Sequence, residues 1–198
     1  RMFVCANLSP YFIDLKKKVR TLGHVIEEPY FVYDKSNMSE SKWEDFKFMP
    51  KILIRGNDTR ITAVIDDYGS VFIGIYGIKI SDNLKHNYKY LIALLNSKLY
   101  QWIFAIQNPS VRIGGGFFSI NTPQLFKLPY REIDKMQLTK FNTTVDKILS
   151  ITKSKDYSEN KQKQHEIKKL QDEIDKLVYK HYSLTSEEIK VVEEFTSK

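Results

Sequence analysis

The sequence predicts an α+β protein: a twisted antiparallel sheet packed on a central apolar helix, followed by an antiparallel two-helix coiled-coil-like hairpin. Three observations carry this prediction. In Tyr88 to Ile106, YKYLIALLNSKLYQWIFAI, residues Tyr88, Leu91, Ile92, Leu95, Leu99, Trp102, Ile103 and Ile106 share one broad face at helical spacing. A face so wide and apolar belongs to a central packing element, not a surface helix. Before it, short apolar runs are bounded by Gly, Asn and Asp clusters, which is strand chemistry. After it, Leu138, Phe141, Val145, Ile148 and Thr152, and then Ile167, Leu170, Ile174, Leu177 and His181, advance in heptad steps around a polar linker.

In chain order, residues 1–48 read as a connecting segment of mixed helix and strand. Tyr11 to Val25 places Phe12, Leu15, Val19 and Leu22 near helical spacing, with Lys16, Lys17, Lys18 and Arg20 opposite, and Gly23 as its stop. Pro29 to Tyr33 reads as a short strand and Asp34 to Glu40 as a loop. Residues 49–131 form the predicted globular core. Pro50 to Arg55 is a strand, Gly56-Asn57-Asp58 a turn, and Arg60–Ile65 and Val71–Ile80 are further strands joined as a hairpin through Asp66 to Ser70. Gly74 and Gly77 inside the last strand predict a bulge or a close backbone approach. Asn96-Ser97-Lys98 is a polar step inside the apolar helix, and the simplest reason for it is the edge of the buried face. Asn108-Pro109 ends that helix, and Gly114-Gly115-Gly116 follows as a connection or a backbone-approach loop.

Residues 132–198 read as a helical spacer or dimerisation-like hairpin with a short terminal helix. Asp172 and Lys176 form an i,i+4 pair on an exposed face. His181 completes the seam as a helix-end packing residue. Leu184-Thr185-Ser186-Glu187-Glu188-Ile189 fits a capped final helix.

Composition narrows the function. The 198 residues are 42% hydrophobic and 13% aromatic, enough for a core. Arg1-Met2-Phe3-Val4-Cys5 reads as mid-protein sequence and predicts a piece of a longer protein. No apolar run reaches the length of about eighteen residues that a membrane helix needs. A single cysteine, Cys5, excludes an internal disulfide and fits the cytoplasm. His24, His86, His165 and His181 offer no zinc spacing. The net charge is +7, and it is unevenly placed. Lys51 to Arg131 carries ten Lys/Arg against four Asp/Glu, whereas Leu138 to the end carries twelve against eleven. A basic excess on the folded, aromatic-rich middle points to a polyanion.

The order of pieces then matches a known pattern. PKILIRG, a hairpin, YLIALLNSKLYQWIF, a loop, LFKLPY and finally EIDKLVYKHYSLTSEEIKVVE resembles the TaqI-like C-terminal specificity domain of restriction–modification methyltransferases, over roughly Met49 to Glu194. Leu94-Leu95-Asn96-Ser97-Lys98-Leu99 and the Leu-Thr-x-Glu-Glu-Ile ending are its most specific parts. Gly114-Gly115-Gly116-Phe117-Phe118 departs from it, standing where a more polar stretch is expected. The resemblance implies a target recognition domain of a type IIG enzyme that binds double-stranded DNA. It implies an upstream adenine methyltransferase, with or without a nuclease, on the same chain, and S-adenosylmethionine as the cofactor of that upstream part. None of that machinery is found here. There is no Asn-Pro-Pro-Tyr motif (Asn7-Leu8-Ser9-Pro10-Tyr11 lacks the second proline), no Gly-rich cofactor turn after a strand and no paired-acid-plus-lysine nuclease set. The piece is therefore expected to bind and not to catalyse.

Base selection needs guanidinium, amide and hydroxyl groups on a rigid scaffold. Arg55, Asn57 and Arg60 flank the turn, Tyr76 and Lys79 lie on the glycine-bearing strand, and Arg112 leads the glycine loop. These are the expected DNA-facing residues, with Lys51, Lys127 and Arg131 as phosphate contacts. Arg55 has an alternative role as a scaffold residue paired with an acid. The alternative for the whole chain is a coiled-coil scaffold or subunit-docking module, self-associating through its helical hairpin without reading DNA. A small hydrolase lacks any Ser/His/Asp or metal set.

Overall fold

The computed structural model describes residues 2–21, 23–27, 29–82, 84–109 and 116–197. It is mixed α+β, as predicted. The N-terminal segment forms strands β1 (Met2–Val4), β2 (Leu8–Ser9), β3 (Phe12–Ile13), β4 (Val19–Thr21) and β5 (His24–Ile26). The helix expected over Tyr11 to Val25 is absent, for local reasons. The Asp14 carboxylate accepts from the Lys16 and Lys17 N–H groups at 3.0 and 3.1 Å, which bends the chain into a turn. Gly23, at φ +80°, then closes the β4–β5 hairpin, in which Thr21 faces His24. Pro29 to Tyr33 is likewise in no strand, although the Pro29 carbonyl accepts from Met2 N–H at 2.9 Å. A short helix not foreseen, α1 (Glu40–Lys47), begins at Ser39, whose side chain accepts from Lys42 N–H.

The central sheet comprises β6 (Lys51–Arg55), β8 (Ala63–Asp66) and β10 (Ile75–Lys79), with β6 in the middle and both pairings antiparallel. Between them lie β7 (Asn57–Asp58) and β9 (Val71–Ile73). The expected Val71–Ile80 strand is thus broken at Gly74, which adopts φ +69°. β9 pairs in parallel with β1, while β10 pairs with β6. The strands flanking Asp66 to Ser70 therefore do not form the expected hairpin. The Asp66 carboxylate organises that turn instead, accepting from Tyr68 N–H, Ser70 N–H and Ser70 O–H at 2.8 to 3.1 Å.

Both sheet faces are covered, which is why β6 is apolar at consecutive positions. Ile52, Ile54 and Ala63 face the helices, whereas Leu53, Val64 and Ile75 meet Phe3, Leu8 and Ile13 of the N-terminal segment. Residues 2–13 thus close one side of the core.

The central helix is two helices, α2 (Tyr88–Asn96) and α3 (Lys98–Gln107). Ser97 lies between them in extended conformation, with ψ 152°. Its hydroxyl accepts from Tyr100 N–H and so caps α3. Asn96 and Ser97 are buried at 6% and 1% exposure, so the polar step is a break and not the edge of a face. The break resets the helical phase. Past it the buried side chains are Leu99, Tyr100, Gln101, Phe104 and Ala105, and Ile106, expected inside, is 58% exposed.

β11 (Phe118–Ser119) pairs with β7 and leads into α4 (Thr122–Leu125), which Asn121 and Gln124 close with reciprocal capping bonds. Helices α5 (Lys135–Thr152), α6 (Lys161–His181) and α7 (Ser186–Thr196) follow. α5 and α6 pack together as the heptads predict, and α7 begins with the predicted Thr185–Glu188 capping box. The seam residues Phe141, Val145, Ile148, Ile167, Leu170 and Ile174 belong to the same core as α2 and α3. His181 is buried at the helix end, with its Nδ1 2.8 Å from Gln137 Oε1 and its ring edge-on to Tyr90. Among the described residues no helix is long and apolar enough to cross a membrane.

Candidate nucleic-acid interface

One end of the sheet carries three of the expected DNA-facing residues, with Tyr76 opposite Ile54 and so on the other face from Arg55, which lies opposite Ile75. β6 ends at Arg55, the chain bends at Gly56, and β7 begins at Asn57. Gly56 N–H donates to Gly74 O at 2.9 Å, and Gly56 O accepts from Ile120 N–H at 2.7 Å. A Cβ on Gly56 would stand 2.6 Å from Gly74 O and 3.4 Å from the Tyr76 ring. Only glycine allows this approach. The bend is thereby locked to the β9–β10 break on one side and to the exit from β11 on the other. Asn57 faces Ser119 across the β7–β11 pair. Exposed Ile73, Tyr76 and Phe117 surround the corner, with Asn57 exposed beside them.

Arg55 is three-quarters buried. Its Nη1 lies 3.2 Å from Asp58 Oδ2. Asp58, 6% exposed, also accepts from Thr59 N–H at 2.8 Å and from Thr62 O–H at 2.6 Å. Arg55 Nε is buried with no hydrogen-bond acceptor among the described residues. The guanidinium is thus held from one side by a carboxylate that cannot swing away.

The other expected residues lie elsewhere. Lys51 cannot be a phosphate contact: it is 2% exposed, and its ammonium lies 2.8 Å from the fully buried Asp66. It also donates to the Phe46 and Phe48 carbonyls at 2.5 and 3.2 Å. A lysine in a sequence has no visible depth, and here the sheet is covered on both faces, so Lys51 is buried whichever way it points. Arg60 donates from Nη2 to Asn96 O at 2.9 Å, placing its charge on the C-terminus of α2, where the helix dipole favours a cation. Lys79 is at the far end of β10, about 10 Å along the strand from Tyr76. Its ammonium pairs with Asp45 and stands 5.4 Å over the Phe48 ring. Lys127 and Arg131 are exposed on the strap between α4 and α5. That strap is fixed by hydroxyls: Tyr100 and Tyr182 donate to Pro129 O, and Tyr90 donates to Arg131 O. Arg112 lies outside the described residues.

The remaining polar cluster joins α3 to α6 and α7. Asp175, 5% exposed, accepts from Lys98 N–H at 2.8 Å and so closes the start of α3 from α6. The Lys98 ammonium lies nearest Glu193, at 2.8 Å, and farther from Asp172 and Asp175 at 3.4 and 3.8 Å. Burial therefore pushes the Asp175 carboxyl up to about 6, against the opposing pull of the Lys98 N–H and ammonium.

Asp58, Gly56, Ile73 and Phe117 were missed in the sequence. The Arg55-Gly-Asn-Asp58 spacing across a turn was the available signal for Asp58. Nothing local marks the Gly56–Gly74 approach, which joins distant positions.

Among protein families, the TaqI-like C-terminal specificity domain matches residues 2–130. The match begins well before Met49, taking in the strands that cover one sheet face. It ends before α5, so the Leu-Thr-x-Glu-Glu-Ile ending lies outside it. Among curated proteins no match is found.

Proposed function

The chain belongs to the family of TaqI-like C-terminal specificity domains, and from that membership we propose that it is the DNA target recognition module of a restriction–modification methyltransferase. It binds duplex DNA and directs an adenine methyltransferase, with or without a nuclease, carried on the same chain in the type IIG manner. S-adenosylmethionine belongs to that catalytic part and not to these residues. The family match over residues 2–130 carries the reading. The rigid corner at Arg55 and Asn57 supports it, because base reading needs guanidinium and amide groups on fixed backbone. Exposed Lys127 and Arg131 supply phosphate contacts, with Arg60 and Lys79 at the margins and Arg112 a further candidate from the sequence between α3 and β11.

The scaffold alternative gains no support from the helical hairpin. A self-associating coiled coil needs a free seam, and Phe141, Val145 and Ile148 are at most 1% exposed within this chain.

Binding of a fluorescent duplex at two salt concentrations tests the proposal. The expected result is an affinity that falls steeply with salt, as counterion release from several phosphates requires. A folded chain that binds no duplex at low salt overturns it.

A further inference from the structure

We infer that Arg55 is a specificity-determining residue that reads a guanine edge in the major groove, and that Asp58 is the positioning residue that aims it. This rests on the DNA-recognition reading and names the group that does the selecting.

The argument begins with how little Arg55 can move. Its backbone closes the central strand, with N–H donating to Thr62 O at 3.1 Å and Ile75 opposite on β10. The next residue is clamped, since a Cβ on Gly56 would meet Gly74 O. The guanidinium leans on Asp58 at 3.2 Å. Asp58 is itself fixed through both oxygens, by Thr59 N–H and Thr62 O–H. An exposed arginine would lose much rotamer freedom on meeting a base, and this one has lost it already.

The donors then define the ligand. A guanidinium carries five N–H donors in a planar fork. The Asp58 carboxylate engages one end of it. Nε is buried and so closed to a base, which leaves the terminal Nη groups as the part of the fork that a side chain 23% exposed can present. The open part of the fork suits two coplanar acceptors side by side. In the major groove guanine presents that pair as O6 and N7, whereas cytosine presents a donor and thymine one acceptor with a methyl group. A phosphate also offers paired oxygens. Arg55 is locked at a strand end next to Asn57, the fixed presentation that a base edge needs and a phosphate contact does not.

The test is selection of preferred duplexes from a randomised pool by the wild-type chain, by Arg55→Lys and by Asp58→Asn, with thermal unfolding followed in parallel. Arg55→Lys keeps the charge opposite Asp58 but loses the fork. The expected result is a loss of guanine preference of roughly tenfold or more at one position, with the other positions and the unfolding temperature unchanged. Asp58→Asn should weaken preference at that same position. Independently, 7-deazaguanine substituted at each selected guanine in turn should lower wild-type affinity at one position and leave Arg55→Lys unaffected there. A uniform loss across all sequences makes Arg55 a phosphate contact and overturns the inference. So does an unchanged preference, which leaves a structural ion pair. If either variant unfolds, the 7-deazaguanine scan of wild type decides alone, and no loss at any guanine overturns it. A wild-type chain that selects no sequence refutes the recognition reading itself, a result distinct from these.

Discussion

The Asn96 side-chain amide holds Ala63 by both of its backbone groups: Ala63 N–H donates to Oδ1, and Nδ2 donates to Ala63 O, each at 2.9 Å. Gln101 does the same one register along, accepting from Ile61 N–H at 2.5 Å and donating to Ile61 O at 3.2 Å. β8 has β6 on one side only. Two amides from the helix break, together with Tyr11 N–H donating to Ala63 O at 3.1 Å, therefore stand in for a strand partner along this buried edge. The polar step in the apolar helix exists to present them.

Removing that amide should be costly. Asn96→Ala leaves Ala63 N–H buried and unpaired, worth about 1–3 kcal/mol, while Ala63 O keeps the Tyr11 N–H at 3.1 Å. The expected loss is about 1–3 kcal/mol in urea unfolding. A loss below about 1 kcal/mol would show that water replaces the amide without penalty.

The buried pair of Lys51 and Asp66 should behave as structure and not as a DNA contact. Asp66→Ala strands a buried ammonium and releases the Tyr68–Ser70 turn, so a destabilisation of about 3–5 kcal/mol is expected by denaturant titration. Normal stability in this variant would mean that the ammonium finds water.

Asp175 should leave a pH signature. An unfolded aspartate titrates at about 3.9, and in the fold Asp175 titrates at about 6. Between those values the folded chain keeps a proton that the unfolded chain has released. The contribution of this group to stability therefore falls as pH rises from about 4 to about 6, and is flat above. Its full size is at most about 3 kcal/mol. Asp175→Asn does not titrate, so its deficit relative to wild type should shrink across that window. A deficit constant from about pH 4 to pH 7, measured by urea unfolding, contradicts the assignment.

At the corner, Gly56→Ala forces a methyl group onto Gly74 O. A cost of about 1–3 kcal/mol is expected in thermal unfolding, together with loss of sequence preference as the Arg55 bend opens. Preserved preference in this variant would argue that the corner reads nothing.

The salt dependence of duplex binding should separate exposed cations from committed ones. Lys127→Ala and Arg131→Ala should each reduce the slope by about 0.9 and weaken all sequences alike. Lys79→Ala should reduce it less, because Asp45 already neutralises that ammonium. Equal slopes for all three would place the phosphate path elsewhere.

Several features were readable along the chain because their causes are local. The heptads of α5 and α6, the Thr185–Glu188 box and the apolar run of β6 follow from periodicity and capping, which act within a few residues. The amphipathic reading of Tyr11 to Val25 failed because Asp14 and Gly23 offered the backbone turns that compete with a helix. What the sequence by itself determined was the α+β class, the family and the identity of the basic middle. Only the tertiary structure decided that Lys51 points inward, that Arg60 caps α2, that Asn96 and Gln101 pair with a strand edge, and that Arg55 leans on Asp58. Each of these depends on which residues meet across long separations and at what depth, and burial sets whether a charge is a contact or a cost.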